Sequence, residues 1–135
     1  MVVVVVVVVT YLCYIFVTAL DIVERLLSSS RFIADPGTFT EADLRLFMTL
    51  VRFDEVYVVY FKCNVRSLSS YRHIQDYMRE IYQLPGMADT ISMEHIKMHY
   101  FSSHPTLNPY AVIPQGPNVI EDLKKSHFRM HIRNK

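Results

Sequence analysis

Apolar positions recur at helical spacing along most of this chain. Phe16, Ala19, Leu20, Val23, Leu26 and Leu27 form one stripe, with Asp21, Glu24, Arg25 and Ser28 on the opposite face. That pattern predicts an amphipathic helix beginning near Tyr11 and closing at Ser28, Ser29 and Ser30. Leu44, Phe47, Met48 and Val51 mark a second helix, which runs on through the apolar piece Val56 to Phe61 to about Cys63. A helix that is apolar all round is expected at the centre of a domain. Ile74, Tyr77, Met78, Ile81 and Tyr82 mark a third helix, stopped by Leu84, Pro85 and Gly86. A fourth is expected from Ser92 to about Phe101.

Local signals support the helix starts. Thr40 is a natural N-cap, because its hydroxyl can accept from a backbone N–H of the first turn. Asp43 stands where an acid reaches back to complete a capping box, and Phe39 with Leu44 occupies the staple positions. Ile91 and Ile96 repeat the staple around Ser92. Pro105, Pro109, Pro114 and Pro117 exclude a helix between them and predict an extended segment over the helices. The last eighteen residues carry five Lys and Arg against two acids and read as a solvated, frayed basic tail. The fold class expected is all-α, an orthogonal bundle of four or more helices. The chain divides into a low-complexity valine start (1–10), a helical domain (11–117) and the tail (118–135).

Composition narrows the function. Of the 135 residues, 51% are apolar, enough for one domain with its own core. A net charge of +1 offers no electrostatic footprint for nucleic acid. Three glycines argue against a Gly-rich phosphate loop, and two cysteines, Cys13 and Cys63, make neither a disulfide framework nor a zinc site. A reducing compartment follows. Residues 2–20 carry no charge and are just long enough to span a bilayer, but the amphipathic stripe claims part of that window. The soluble reading is preferred, with no membrane partner.

Candidate chemistry is sparse. His95 and His99, and His127 and His131, are spaced for a shared metal, but neither pair has a third ligand nearby, so surface histidines are expected. Cys63 reads as a buried thiol rather than a nucleophile. Tyr57 lies within the apolar helix and Tyr100 near the end of the fourth. A buried phenol needs a hydrogen-bond partner, so the two are either satisfied core aromatics or phenols lining a cleft.

The run Phe39 to Phe47 resembles the capped core helix of glutathione transferase C-terminal domains. Further motifs follow in order: Leu50 to Tyr57, Phe61 to Asn64, Tyr82 to Gly86, His95 to Lys97 with His99 to Phe101, Ser103 to Thr106 with Asn108 and Pro109, and Ile113, Pro114, Gly116 and Pro117. Together they resemble the glutathionyl-hydroquinone reductases, the xi class of that superfamily, over about residues 14–117. The resemblance implies a bundle of the glutathione transferase C-terminal type. It implies a parent enzyme reducing glutathionyl-hydroquinones to hydroquinones with glutathione as co-substrate, in the cytoplasm, as a homodimer paired through helical domains. It also implies that Tyr57 and Tyr100 bind substrate or tune a thiolate.

The departures matter as much. The family's nucleophile is a cysteine followed by proline in a thioredoxin-like half. Here Cys13 precedes Tyr14 and Cys63 precedes Asn64, so no catalytic cysteine is assigned. The chain is accordingly expected to be a truncated, inactive C-terminal part of such an enzyme. Tyr60 stands where the family more often has histidine, and Tyr110 and Ala111 replace a Thr-Gly pair. Two other readings remain open: a non-catalytic helical module that binds a partner protein, and a helical domain anchored through residues 2–20.

Overall fold

The computed structural model describes residues 2–129, with side chains from residue 14 onward. Helix α1 runs over Val2–Leu27 and α2 over Glu41–Arg52, followed directly by a π-helical turn, Phe53–Tyr57, and a short α3, Val58–Tyr60. After a 3-10 turn at Leu68–Ser70 come α4 (Arg72–Tyr82), a second 3-10 turn (Ala88–Thr90), α5 (Met93–Ser102) and α6 (Val119–Leu123). No strand occurs among the described residues, so the all-α expectation holds.

Helix α4 is the hub. It presents Ile74, Tyr77, Met78, Ile81 and Tyr82 to the interior and packs against α1, α2 and α6. The facing core comprises Leu20 and Leu27 from α1, Phe47, Leu50 and Val51 from α2, and Leu123 from α6. The stripe read from the sequence points inward on α4, whereas on α1 only Leu20 and Leu27 are buried and Phe16, Ala19 and Leu26 are exposed, as is Leu44 on α2.

The cap of α2 forms as expected, and it does more than close a helix. The Asp43 carboxylate accepts from the Thr40 N–H at 2.9 Å and the Thr40 hydroxyl at 2.7 Å. It also accepts from the Ile33 N–H at 2.8 Å and the Tyr77 hydroxyl at 3.0 Å. Asp43 is wholly buried, so four donors replace its water shell and join the loop before α2 to α4. Phe39 packs edge-on against Phe32, while Leu44 stays partly exposed.

Helix α4 has no local side-chain cap. Glu24 of α1 does that work across the core, its carboxylate accepting from the His73 and Ile74 N–H groups at 2.9 and 2.8 Å. This satisfies donors left over by the first helical turn and sets a negative charge at the positive end of the helix dipole. After α4, the Met87 N–H donates to the Leu84 carbonyl at 3.0 Å, closing a turn with Pro85 and Gly86 at its centre. Gly86 has φ +79°, the left-handed value that the third position of such a turn requires.

Three expectations need correction. The first helix begins at Val2, not near Tyr11, and crosses the expected boundary at residue 10 without a break. Propagating a helix into valines costs little once the amphipathic segment has nucleated it. The second helical run ends at Tyr60 rather than Cys63 and contains the π turn. The tail is not a solvated, frayed end as far as residue 129. Leu123 is buried, and Arg129, only 2% exposed, donates to the carbonyls of Leu27, Ser30 and Arg31 and to Glu80. A guanidinium that finds internal acceptors anchors a segment that its net charge alone marks as solvated.

Candidate functional site

The π turn shapes the site. The Val58 N–H bonds to the Phe53 carbonyl, five residues back, which widens the helix by one residue. Phe53, Asp54, Glu55 and Val56 are all buried there, and the helical face that follows is rotated relative to α2. Tyr57, the last residue of the turn, is left half-buried at the edge of the bundle.

Its hydroxyl meets that of Tyr100 on α5 at 3.5 Å, and the two rings pack edge to face with centroids 6.0 Å apart. The tyrosines singled out from the sequence are thus brought together across 43 residues. The Tyr57 phenol is pushed up to about 12, first by burial and then by its hydrogen bond with Tyr100. It therefore stays protonated, and able to donate, throughout the neutral range.

Aromatic groups surround the pair. Phe53 and Phe61 lie edge-on or tilted to Tyr57, with centroids at 6.1 and 5.4 Å. Tyr60 stands between Phe61, Tyr100, Phe101 and His104, at 5.2, 6.3, 5.2 and 5.9 Å. The Tyr60 hydroxyl is buried without a hydrogen-bond partner. Phe61 is 45% exposed, so the cluster ends in an open aromatic face, suited to stacking a flat ring beside two phenols.

Sequence reasoning left Tyr60, Phe61 and His104 without a role, although Phe61 and His104 fall inside quoted motifs. Their proximity in sequence to Tyr57 and Tyr100 was the available signal. It also missed Glu55 and Lys97, a buried ion pair 2.6 Å apart.

The remaining candidates do not join the cluster as a ligand set. His95 is exposed on α5, as is His99, whose ring lies edge-on to Tyr100 at 5.6 Å. His131 lies outside the described residues, as does the side chain of Cys13. Among the described residues no three His, Cys, Asp or Glu side chains group as a metal site. Cys63 is buried, as expected. A separate cavity of about 380 Å³ lies between the π turn, α4 and α6, with Asp54, Gln75, Asn118 and Asp122 in its lining. Burial pushes the Asp54 carboxyl above its ordinary value, against the pull of the Leu68 and Ser69 N–H groups.

The capped core helix and most of α4 fall within residues 13–80, which match the family described as glutathione S-transferase, C-terminal domain. The chain belongs to that family. It is 45% identical over 106 residues to glutathionyl-hydroquinone reductase YqjG of Escherichia coli, an alignment spanning 78% of this chain and 31% of that protein. It is 45% identical over 78 residues to glutathionyl-hydroquinone reductase PcpF of Sphingobium chlorophenolicum, spanning 58% of this chain and 25% of that one. The fold matches the glutathione-bound structure of YqjG with a TM-score of 0.82 at 41% identity, covering 88% of this chain and 38% of that chain. The xi glutathione transferase of Phanerochaete chrysosporium matches with a TM-score of 0.70 at 45% identity, covering 75% and 32%. The chain spans between a quarter and a third of the length of the two reductases it matches. Among residues 14–129, whose side chains are described, no helix is long and apolar enough to cross a membrane.

Proposed function

We propose that this chain is the hydroquinone-facing helical portion of a glutathione-dependent thiol reductase acting on glutathionyl-hydroquinones, with Tyr57 and Tyr100 as its site residues. The observation that carries the reading is the phenol pair on an open aromatic face, in a chain 45% identical to a glutathionyl-hydroquinone reductase over the aligned region.

The chemistry suits those groups. The aromatic face stacks the hydroquinone ring. A cysteine thiolate, supplied by a thioredoxin-like half, attacks the glutathionyl sulfur. The sulfur–carbon bond breaks, a disulfide forms, and the ring carbon takes the electron pair and a proton. A second glutathione then reduces the mixed disulfide. A phenol hydroxyl aimed at the thiolate lowers the thiol pKa, and a protonated phenol can supply the proton to carbon. Tyr57, held near 12, remains a donor for that purpose. Glutathione is the co-substrate and is held mainly by the thioredoxin-like half.

This reading places the protein in the cytoplasm as a homodimer. The exposed apolar side chains of α1, among them Tyr14, Ile15 and Ile22, offer a surface for pairing. The same surface would also serve a partner protein in the non-catalytic reading.

The 135 residues contain no Cys-Pro pair. The test is therefore turnover and binding on this chain together. It should bind a glutathionyl-hydroquinone and show no glutathione-dependent reduction above buffer. Turnover by this chain alone, or no binding at all, overturns the proposal.

A further inference from the structure

Helix α5 carries Tyr100, yet among its residues only Lys97 and Phe101 are buried. Its place in the bundle therefore rests on few anchors. It packs on the π turn, which carries Tyr57. Beside the ring contact of Tyr57 with Tyr100, a polar tie joins them. Lys97 Nζ lies 2.6 Å from Glu55 Oε2, with Glu55 fully buried and Lys97 9% exposed. The remaining valences are used on the proline-rich strap that leads to α6. Lys97 donates to the carbonyls of Pro114 and Gln115 at 3.2 and 3.0 Å, and Glu55 Oε1 accepts from the Val119 N–H at 2.6 Å.

Glu55 precedes Tyr57 by two residues inside the π turn, and Lys97 lies one helical turn before Tyr100. The ion pair thus joins the two backbones that hold the tyrosines. The phenol–phenol separation of 3.5 Å is at the long end of a hydrogen bond, so a displacement of a few tenths of an ångström breaks it.

We propose that the buried Glu55–Lys97 pair, locked by the Pro114–Val119 strap, is a positioning device that sets the approach of Tyr57 to Tyr100. It rests on reading the tyrosine pair as the site. The function of Glu55 and Lys97 is then geometric: neither touches substrate. Buried ion pairs add little net stability over well-packed neutral groups, so a role in placement accounts for these charges better than a role in stability.

The decisive variant is Glu55→Gln with Lys97→Met in the 135-residue chain. It removes both charges together, so local net charge is unchanged and no ion is left buried alone. The probe is ring-labelled tyrosine observed by NMR, with Tyr57 and Tyr100 assigned from their Phe variants. Two quantities are read: the ring–ring contact between them, and the onset of Tyr57 ionisation between about pH 9 and 11. The groups that face Tyr57 are Tyr100 from α5 and Arg52 from α2.

In the parent chain Tyr57 should hold its proton through this range. In the double variant the ring contact should be lost and ionisation should begin near the ordinary tyrosine value. Lys97→Arg alone, which keeps the ion pair with Glu55, should preserve both. Arg129→Met, which loosens the bundle elsewhere, should lower stability and leave both unchanged. A folded double variant with the contact and the ionisation of the parent overturns the positioning role. Should it not fold, Glu55→Gln alone, which keeps one acceptor for the Val119 N–H and loses the oxygen that faces Lys97, carries the same test with a smaller shift. Loss of the contact in the variant, together with no hydroquinone binding by the parent, would sink the proposed function while leaving the positioning role intact.

Discussion

Arg129 Nε lies 3.2 Å from Glu80 Oε2, with both side chains at most 3% exposed. The pair ties the C-terminal segment to the last turn of α4, and Glu80 also holds Arg31 at 2.6 Å. Burial lowers the Arg129 pKa and Glu80 opposes that shift, so the guanidinium stays charged. Arg129→Met should cost about 3 kcal/mol, the usual consequence of leaving buried partners unmatched. Urea unfolding should show a lower midpoint with little change in slope. An unchanged midpoint would mean that the segment adds nothing to the fold.

Asp43 ties a loop, a helix start and α4 through one carboxylate. Tyr77→Phe removes one of its four donors and should cost about 1–2 kcal/mol. Asp43→Ala strands the Ile33 and Thr40 N–H groups, while the Tyr77 hydroxyl keeps the residue-43 carbonyl, and should cost about 3 kcal/mol or more. Thermal melts of the two variants rank the effects. Equal, small losses would contradict a shared hub.

Ala111 has φ +48°, a left-handed backbone that a side chain disfavours. The resemblance places glycine at this position. Ala111→Gly should therefore stabilise the chain by about 1 kcal/mol, since the Asn108 side chain already holds the loop through the Phe101 and Val112 carbonyls. A raised urea midpoint checks this, and a lowered one contradicts it.

Asp54 supplies a pH dependence. Burial raises its folded pKa above the unfolded value of 3.8, so the folded state binds the proton more tightly. Its contribution is fully present below 3.8 and is lost as pH rises through the raised value. Asp54→Asn has no such loss. The stability of this variant relative to the parent should rise with pH across the weakly acidic range. Melts between about pH 3.5 and 6.5 measure the difference, and a constant offset would contradict the assignment.

What the sequence disclosed and what it hid have a physical basis. The cap at Thr40 and Asp43 and the stop at Pro85 and Gly86 are local devices, readable within a few residues. The stripe of α4 is legible because its period is that of the helix, while that of α1 is buried only at Leu20 and Leu27. The bundle's cross-links are not. Glu24 looks like a solvent-facing acid, yet it caps α4 some fifty residues on. Arg129 looks like tail charge until its carbonyl partners are assembled around it. Tyr57 and Tyr100 stand out by resemblance and by their apolar settings. Their meeting depends on a π turn that no spacing rule announces, and on Glu55 and Lys97, whose pairing across 42 positions has no local signal.

The central claim is that Tyr57 and Tyr100 face a bound hydroquinone. The direct measurement is an NMR titration of the ring-labelled 135-residue chain with a glutathionyl-hydroquinone, followed at all nine tyrosines. The account predicts that the Tyr57 and Tyr100 signals move first and together, with Tyr60 next. It also predicts that Tyr77, bonded to Asp43 in the core, stays still. Movement confined to Tyr14 or Tyr110, or none at Tyr57 and Tyr100 while the ligand binds, would contradict it.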